Sequence, residues 1–260
     1  MEYKKKEQIF EEINSSFDHI YILTIERATE RHAALNNTLK GLKFSFFYGY
    51  DKQLLTIDAL ENSGIYSSKK AIKNNRFNKP MKLGEIACSM GHKAIYEDMV
   101  TNKYATALIL EDDVILNTND HFNFSDIMQQ LPENWDIVYF DYNKNEATSI
   151  LKEIKKVIYH FQKKLGLLKW SHTLINNLFA KPFSKNLKIS GYHDFASAYG
   201  ITNHAAKKLI EMQTPISFPA DHVLPIAICN KIISGYITIP KVFSQLSQNN
   251  QSSVMSYVED

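Results

Sequence analysis

Residues 105–113 read Ala-Thr-Ala-Leu-Ile-Leu-Glu-Asp-Asp, an apolar run of strand length that stops in three consecutive acids. A run this short, bounded by charge, predicts a buried strand whose last residues emerge at the edge of a sheet. In open α/β sheets the carboxyl edge is where ligands bind. Three adjacent carboxylates repel one another, so a fold holds them best beside a cation or in open water. Oxygen-only ligation suits Mg²⁺ or Mn²⁺, which keep waters and share their remaining positions with substrate phosphates. If the extended geometry persists, Glu111 and Asp113 share a face and Asp112 points the other way. The plain alternative is an acidic, solvated loop after a strand.

The rest of the chain bears on that choice. Its 260 residues suffice for one large domain or two small ones sharing a core. With 44% hydrophobic and 22% charged residues the composition is that of an ordinary globular protein, and a formal net charge of +2 names no nucleic-acid partner. The two cysteines, Cys88 and Cys229, lie in apolar surroundings and read as packing residues, which together with the missing signal peptide implies the cytosol. No uninterrupted apolar stretch reaches the roughly 18 residues that span a bilayer.

Residues 1–15 predict a short amphipathic helix, and the β-branched run 19–25 a buried strand. Thr29 can cap a helix over 30–41 that Gly41 ends, and 44–50 is an aromatic strand. Strand, helix and strand within about 30 residues make a βαβ unit with parallel strands. Residues 52–80 are polar and read as an irregular surface excursion. Residues 84–100 predict a helix on which Glu85, Ser89, His92 and Tyr96 form one polar stripe. The rest of its girth is apolar or small, which predicts a buried helix whose stripe faces a pocket.

A further strand, 135–141, ends in Asp141, which lies near the triplet if the strands are neighbours. From 151 to 190 there are nine lysines against one glutamate, with Leu151, Ile154, Ile158, Phe161 and Leu165 at helical spacing. A basic amphipathic helix points to an anionic membrane surface or a phosphate-bearing acceptor, with a solvated lysine face as the plain alternative. A small-residue strand at 196–201 follows, then a helix over 205–212 that Asn203 can cap. An Asp221-His222 pair sits between prolines in 218–225, a last strand covers 236–242, and a Ser/Gln/Asn-rich tail starts at Ser244. These elements predict one α/β domain over 1–243, with a lysine-rich helical insertion at 151–190 and a polar tail at 244–260.

Together the segments resemble glycosyltransferase family 25, bacterial lipooligosaccharide sugar transferases, over nearly the whole chain. The residues that carry the resemblance are Arg27 and Arg31 after the first strand, then Phe46-Phe47-Tyr48-Gly49-Tyr50-Asp51. Gly84-Glu85-Ile86-Ala87-Cys88-Ser89-Met90-Gly91-His92 and Ile109-Leu110-Glu111-Asp112-Asp113 follow about 20 residues apart, and Ala220-Asp221 comes late. Thr24 stands where that family usually has Asn, Lys52 where Gly often follows the Asp, and Gly91 where Ser often precedes the His. The resemblance implies a GT-A-type, Rossmann-like nucleotide-sugar fold with a mostly parallel central sheet flanked by helices. It also implies a UDP-sugar donor, UDP-galactose for preference, inversion at the anomeric carbon, and a lipooligosaccharide or lipopolysaccharide acceptor at the inner face of the cytoplasmic membrane. The divalent cation, Mn²⁺ or Mg²⁺, is expected on Asp113 with Asp112 assisting and His222 completing the shell. The donor is expected against Thr24, Arg27, Arg31, Asp51, Glu85, Ser89, His92, Glu111 and Asp112. A carboxylate must take the acceptor proton, with Asp221 first, Asp141 in reserve and Glu85 third. A metal-dependent phosphohydrolase and a non-catalytic nucleotide-sugar-binding module are the competing readings.

Overall fold

The computed structural model describes residues 2–118 and 122–246. Its first elements are α1 (Glu2–Ser16), β1 (His19–Thr24), α2 (Thr29–Thr38) and β2 (Ser45–Tyr48), followed by a 3₁₀ turn at Lys52–Leu54, α3 (Ile57–Asn62) and α4 (Ser68–Asn74). Next come α5 (Leu83–Thr101), β3 (Thr106–Glu111), β4 (Val114–Leu116), α6 (Phe124–Gln129), β5 (Ile137–Tyr139), α7 (Ile150–Lys164) and α8 (His172–Asn176). The chain continues through β6 (Lys181–Pro182), β7 (Leu187–Ile189), β8 (Ala198–Thr202), α9 (Asn203–Met212), α10 (Ala220–Cys229), β9 (Gly235–Thr238) and β10 (Phe243–Gln245).

Eight strands form one sheet in the order β2-β1-β3-β8-β5-β9-β7-β6. β1 lies parallel to both β2 and β3, in the register Leu23↔Phe47 and Leu23↔Glu111, as the βαβ reading expects. β8 runs antiparallel between β3 and β5, while β9 returns parallel to β5, so the sheet is mixed. Alternating side chains bury both faces. Tyr21 and Ile109 pack with Ile95, Met99, Leu209 and Leu224 from α5, α9 and α10. Ile22, Leu108 and Leu110 pack with Phe10, Ile13 and Leu35 from α1 and α2. Strands buried on both faces carry continuous apolar runs, which is why 105–110 shows no alternation. The architecture is α/β, a central sheet flanked by helices, as expected.

Several local expectations need correction. Residues 52–80 are not irregular: Thr56 and Ser67 cap α3 and α4 through their hydroxyls, and Leu60, Tyr66, Ala71 and Met81 form a small core with Ile86, Met90 and Ile216. Helices this short show no periodicity, so a polar stretch can hide them. Thr202, not Asn203, caps α9, because its hydroxyl accepts from Ala205 N while Asn203 donates to the Tyr104 carbonyl. The Asp221-His222 pair lies in the first turn of α10, which runs on through Pro225. Ser244 and Gln245 are not tail but β10, paired antiparallel with β4, and the remainder of the expected tail, 247–260, lies outside the described residues. Cys88 and Cys229 are free thiols. No helix among the described residues is long and apolar enough to cross a membrane.

Candidate functional site

β1, β2 and β3 are parallel neighbours, so their carboxyl ends Thr24, Tyr48 and Glu111 emerge at one edge. Antiparallel β8 brings its amino end, and with it Phe195 and Ala196, to the same edge. A cavity of about 500 Å³ opens there. Thr24, Arg31, Asp51, Glu85, Glu111, Asp112, Asp113 and Asp221 all line it, contributed by segments spread over some 200 residues of sequence. Gly49 and Gly91 let α5 approach this edge closely, since a Cβ on either would stand 2.9 Å from Leu23 Cδ1. That explains why Gly91 occupies a position where the resemblance leads one to expect Ser.

Asp112 is the anion of a largely buried ion pair with Arg31, whose Nη1 donates to Oδ1. The Thr24 hydroxyl donates to the other oxygen at 2.6 Å. Thr24 therefore holds the triplet in place, and Asp112 is committed to orienting and neutralising rather than to open ligation. Asp113 differs. Its Oδ1 is buried and has no hydrogen-bond partner among the described residues. Burial, then repulsion from Glu111 and Asp112, pushes its carboxyl up to about 7 against the opposing pull of Arg31. An orphaned buried carboxylate oxygen beside two further acids is a fit for a hard divalent cation. Glu111 supplies the second available carboxylate, with His92 Nε2 at 3.5 Å from Oε1 and Gln245 Nε2 at 3.4 Å from Oε2. Cys88, His92 and Glu111 also offer ligand atoms within 4.8 Å of one another. Burial raises the Cys88 thiol well above its ordinary value, so that softer set would first have to lose a proton.

Replacing Arg31 with Gln should expose what the pair offsets. The Asp112 charge would be left without its cation in a cleft of like charges, and we expect a loss of about 3 kcal/mol of stability at neutral pH. Urea unfolding measures it. An unchanged midpoint would mean that Arg31 is dispensable to the triplet.

Other expected site residues stand elsewhere. Ser89 is buried, with its hydroxyl bonded to the Glu85 and Phe218 carbonyls, so it locks α5 in place and does not meet a donor. His92 and Tyr96 face the core and both bond the Tyr199 hydroxyl, at 2.8 and 2.7 Å. Of the expected polar stripe only Glu85 lines the cavity, and α5 presents Gly84, Ala87, Cys88 and Gly91 beside it in place of Ser89, His92 and Tyr96. Arg27 reaches Asp51 in a bidentate pair but does not line the cavity, and Asp51, held below the usual carboxylate range by that bond, also accepts from Gln53 N. Asp141 is fully buried and satisfied by Ser197 at 2.7 Å, Tyr142 N at 2.9 Å and Lys241 at 3.8 Å. It lies outside the cavity and cannot meet a substrate hydroxyl. His222 lines a second cavity, away from the metal position expected of it.

That second cavity, about 450 Å³, meets the first at Pro219. Trp170, Tyr159, Tyr192 and Asp194 are in its wall, and Arg76 lies 4.9 Å over the Trp170 ring. Asp221 opens on the first cavity while its neighbour His222 opens on the second. Burial raises the Asp221 carboxyl; His222 lowers it, and Asp194, Glu111 and Glu85 add to the rise. A larger cavity of about 630 Å³ opens where β5 and β9 begin, the amino edge of both strands. Of the two acids in its wall, Asp136 is bonded to Ser234 and His204, and Glu133 is exposed.

The model of glycosyltransferase family 25, described as an LPS biosynthesis protein, matches residues 17–224. The chain belongs to glycosyltransferase family 25. It is 27% identical over 218 residues to a glycosyltransferase 25 family member of Aedes aegypti, covering 82% of this chain and 31% of that protein. It is 22% identical over 217 residues to the inactive glycosyltransferase 25 family member 3 of Homo sapiens, covering 81% and 31%. It is 19% identical over 229 residues to procollagen galactosyltransferase 1 of Danio rerio, covering 85% and 33%. The chain therefore spans about a third of the length of these relatives.

Three residues of the family 25 cavity escaped sequence reasoning. Cys88 follows Glu85 by three positions and shares its face, a signal that was present and set aside for packing. Gln245 arrives on β10 from a stretch with only tail-like composition. Phe195 adopts φ +79°, a conformation that a non-glycine residue enters only under constraint and that nothing in the sequence announces.

Proposed function

We propose that the chain is an inverting, metal-dependent glycosyltransferase that moves galactose from UDP-galactose onto a lipooligosaccharide or lipopolysaccharide core saccharide. The observation that carries this reading is the unpartnered, buried Asp113 oxygen within an acidic cleft at the carboxyl edge of the sheet. Asp113 and Glu111 would hold the cation, Mn²⁺ or Mg²⁺. When bound, it supplies positive charge to the diphosphate that departs. Arg31 keeps Asp112 neutralised and fixed, and Thr24 sets its orientation.

The acceptor takes the second cavity, whose wall includes Trp170, Tyr159 and Tyr192, aromatic side chains of the kind that pack against a sugar. Asp221, at the junction, accepts the acceptor hydroxyl proton as the new C–O bond forms and the anomeric carbon–phosphate oxygen bond breaks, releasing UDP. Its raised carboxyl makes it a stronger base than an ordinary aspartate. Galactose is supported by the name of the zebrafish relative, and the acceptor class by the family's description. We place the reaction in the cytoplasm, at the inner face of the membrane.

Calorimetric titration of UDP tests the donor half. UDP should bind in the presence of Mn²⁺ and lose that binding on addition of EDTA; binding indifferent to metal would sink the reading. Some relatives are named inactive or probable inactive, which keeps a non-catalytic sugar-binding module in play. Metal-dependent UDP binding with no transfer to any acceptor would favour it. Release of inorganic phosphate without an acceptor would instead favour a phosphohydrolase.

A further inference from the structure

An amphipathic helix on the surface of a globular protein ordinarily turns its apolar stripe inward. α7 does the reverse. Ile150, Ile154, Val157, Ile158, Phe161 and Leu165 follow helical spacing on one stripe, and each is 49–82% exposed. No residue of the helix is buried. Lysines occupy the side turned to the protein: Lys152 donates to the Ala147 carbonyl, and Lys152 and Lys156 lie 5.1 and 5.5 Å over the Phe179 ring. Lys156 also pairs with Glu153 at 2.8 Å. The sequence predicted the amphipathic helix but not that it would be mounted inside out.

A contiguous exposed apolar stripe of this kind marks a surface that meets something apolar. Charge identifies what. Lys155 and Lys164 are exposed and flank the stripe on its two sides, in a stretch with nine lysines and one glutamate over 151–190, while Lys163 shares the protein-facing side with Lys152 and Lys156. A second copy seated on the same face would bring lysines against lysines. An anionic phospholipid surface satisfies both features at once, with apolar side chains at the acyl boundary and ammonium groups among the headgroups. We infer that α7 is an interfacial helix that docks the protein on an anionic phospholipid surface. Lys155 and Tyr159 of the same helix line the second cavity. The docked helix is therefore also a wall of the proposed acceptor site, a consequence that rests on the transferase reading and fits a lipid-borne acceptor. Docking itself does not rest on it.

Co-sedimentation of the full chain decides the matter, with vesicles of phosphatidylcholine alone and of equal parts phosphatidylcholine and phosphatidylglycerol. The protein should pellet with the mixed vesicles and release as NaCl is raised. The double variant Ile154→Asn/Phe161→Asn should bind them about tenfold less tightly or worse. Both positions are more than half exposed, so the fold should survive, and circular dichroism checks that. Unchanged pelleting of the variant would overturn the inference. So would a wild-type dimer that the same variant dissociates while vesicle binding is absent, which would make the stripe a self-association face. No donor or transfer enters the assay, so failure of the transferase reading would leave this result standing.

Discussion

Asp221→Asn should abolish sugar transfer, lowering the rate by about 10²- to 10⁴-fold, while metal-dependent UDP binding stays within about twofold of the wild type. The amide fills the same volume and keeps the hydrogen-bonding shape, so a loss confined to turnover isolates proton transfer. Three carboxylates compete for this role on sequence grounds, and their surroundings in the fold differ. Asp141 is sealed in the core with every oxygen engaged, so Asp141→Asn should act on stability instead of chemistry. Glu85 lines the cavity but accepts from Lys82 N at 2.7 Å, capping the first turn of α5. One of its oxygens is held at the helix terminus, and Glu85→Gln should cost less than about tenfold. Of the three, Asp221 lines the first cavity two residues from Pro219, where the second cavity meets it. Because burial raises its carboxyl, the acid limb of the turnover profile should lie above that of an ordinary carboxylate and vanish in Asp221→Asn. If Asp221→Asn keeps its turnover and Glu85→Gln loses it, the base is Glu85 and the junction argument fails.

What was legible in the sequence follows a physical line. The strand at 105–111 could be read because burial on both faces forces a continuous apolar run, and the βαβ unit because its period changes visibly. The triplet could be read because like charges need an explanation wherever they occur. Partner assignments could not. Nothing in the spacing says that Thr24 and Arg31, some 80 residues from Asp112, will divide its two oxygens, or that Oδ1 of Asp113 will be left without a partner among the described residues. Those facts come from the β1–β3 register, which sequence sets only through the whole sheet. His222 illustrates the same limit in the other direction. Adjacent to Asp221 on a helix, it must point about 100° away, so one residue enters the first cavity and its neighbour the second. α7 shows a subtler failure: periodicity reveals that a helix has two faces, and tertiary contacts alone decide which one meets the protein.

The other large effect centres on Asp113 and joins pH to metal. Its carboxyl titrates near 7 in the fold and near its ordinary 3.8 in the unfolded chain. Between those values the folded state binds more protons than the unfolded one, so unfolding free energy falls as pH rises through this window. The group's contribution is fully present below about pH 4 and is lost above about pH 7. The size is of the order of 2–4 kcal/mol, because a tenfold change in proton affinity is worth about 1.4 kcal/mol and solvent relieves part of the cost. A divalent cation on Asp113 and Glu111 would remove the repulsion that raises the carboxyl. Mn²⁺ should therefore raise the melting temperature strongly at pH 8 and little at pH 5. Asp113→Asn should flatten this group's share of the pH profile, stabilise the metal-free protein at pH 8, and abolish the Mn²⁺ effect together with metal-dependent UDP binding. A more stable protein that has lost its ligand is the signature of a charge kept at a structural cost for function. Thermal melts of both proteins at pH 5 and pH 8, with Mn²⁺ and with EDTA, measure the stability effects, and calorimetric titration of UDP into the variant measures the binding. Parallel profiles for wild type and Asp113→Asn would mean that the buried oxygen finds its partner elsewhere and that the cation, if one binds, is held by other residues.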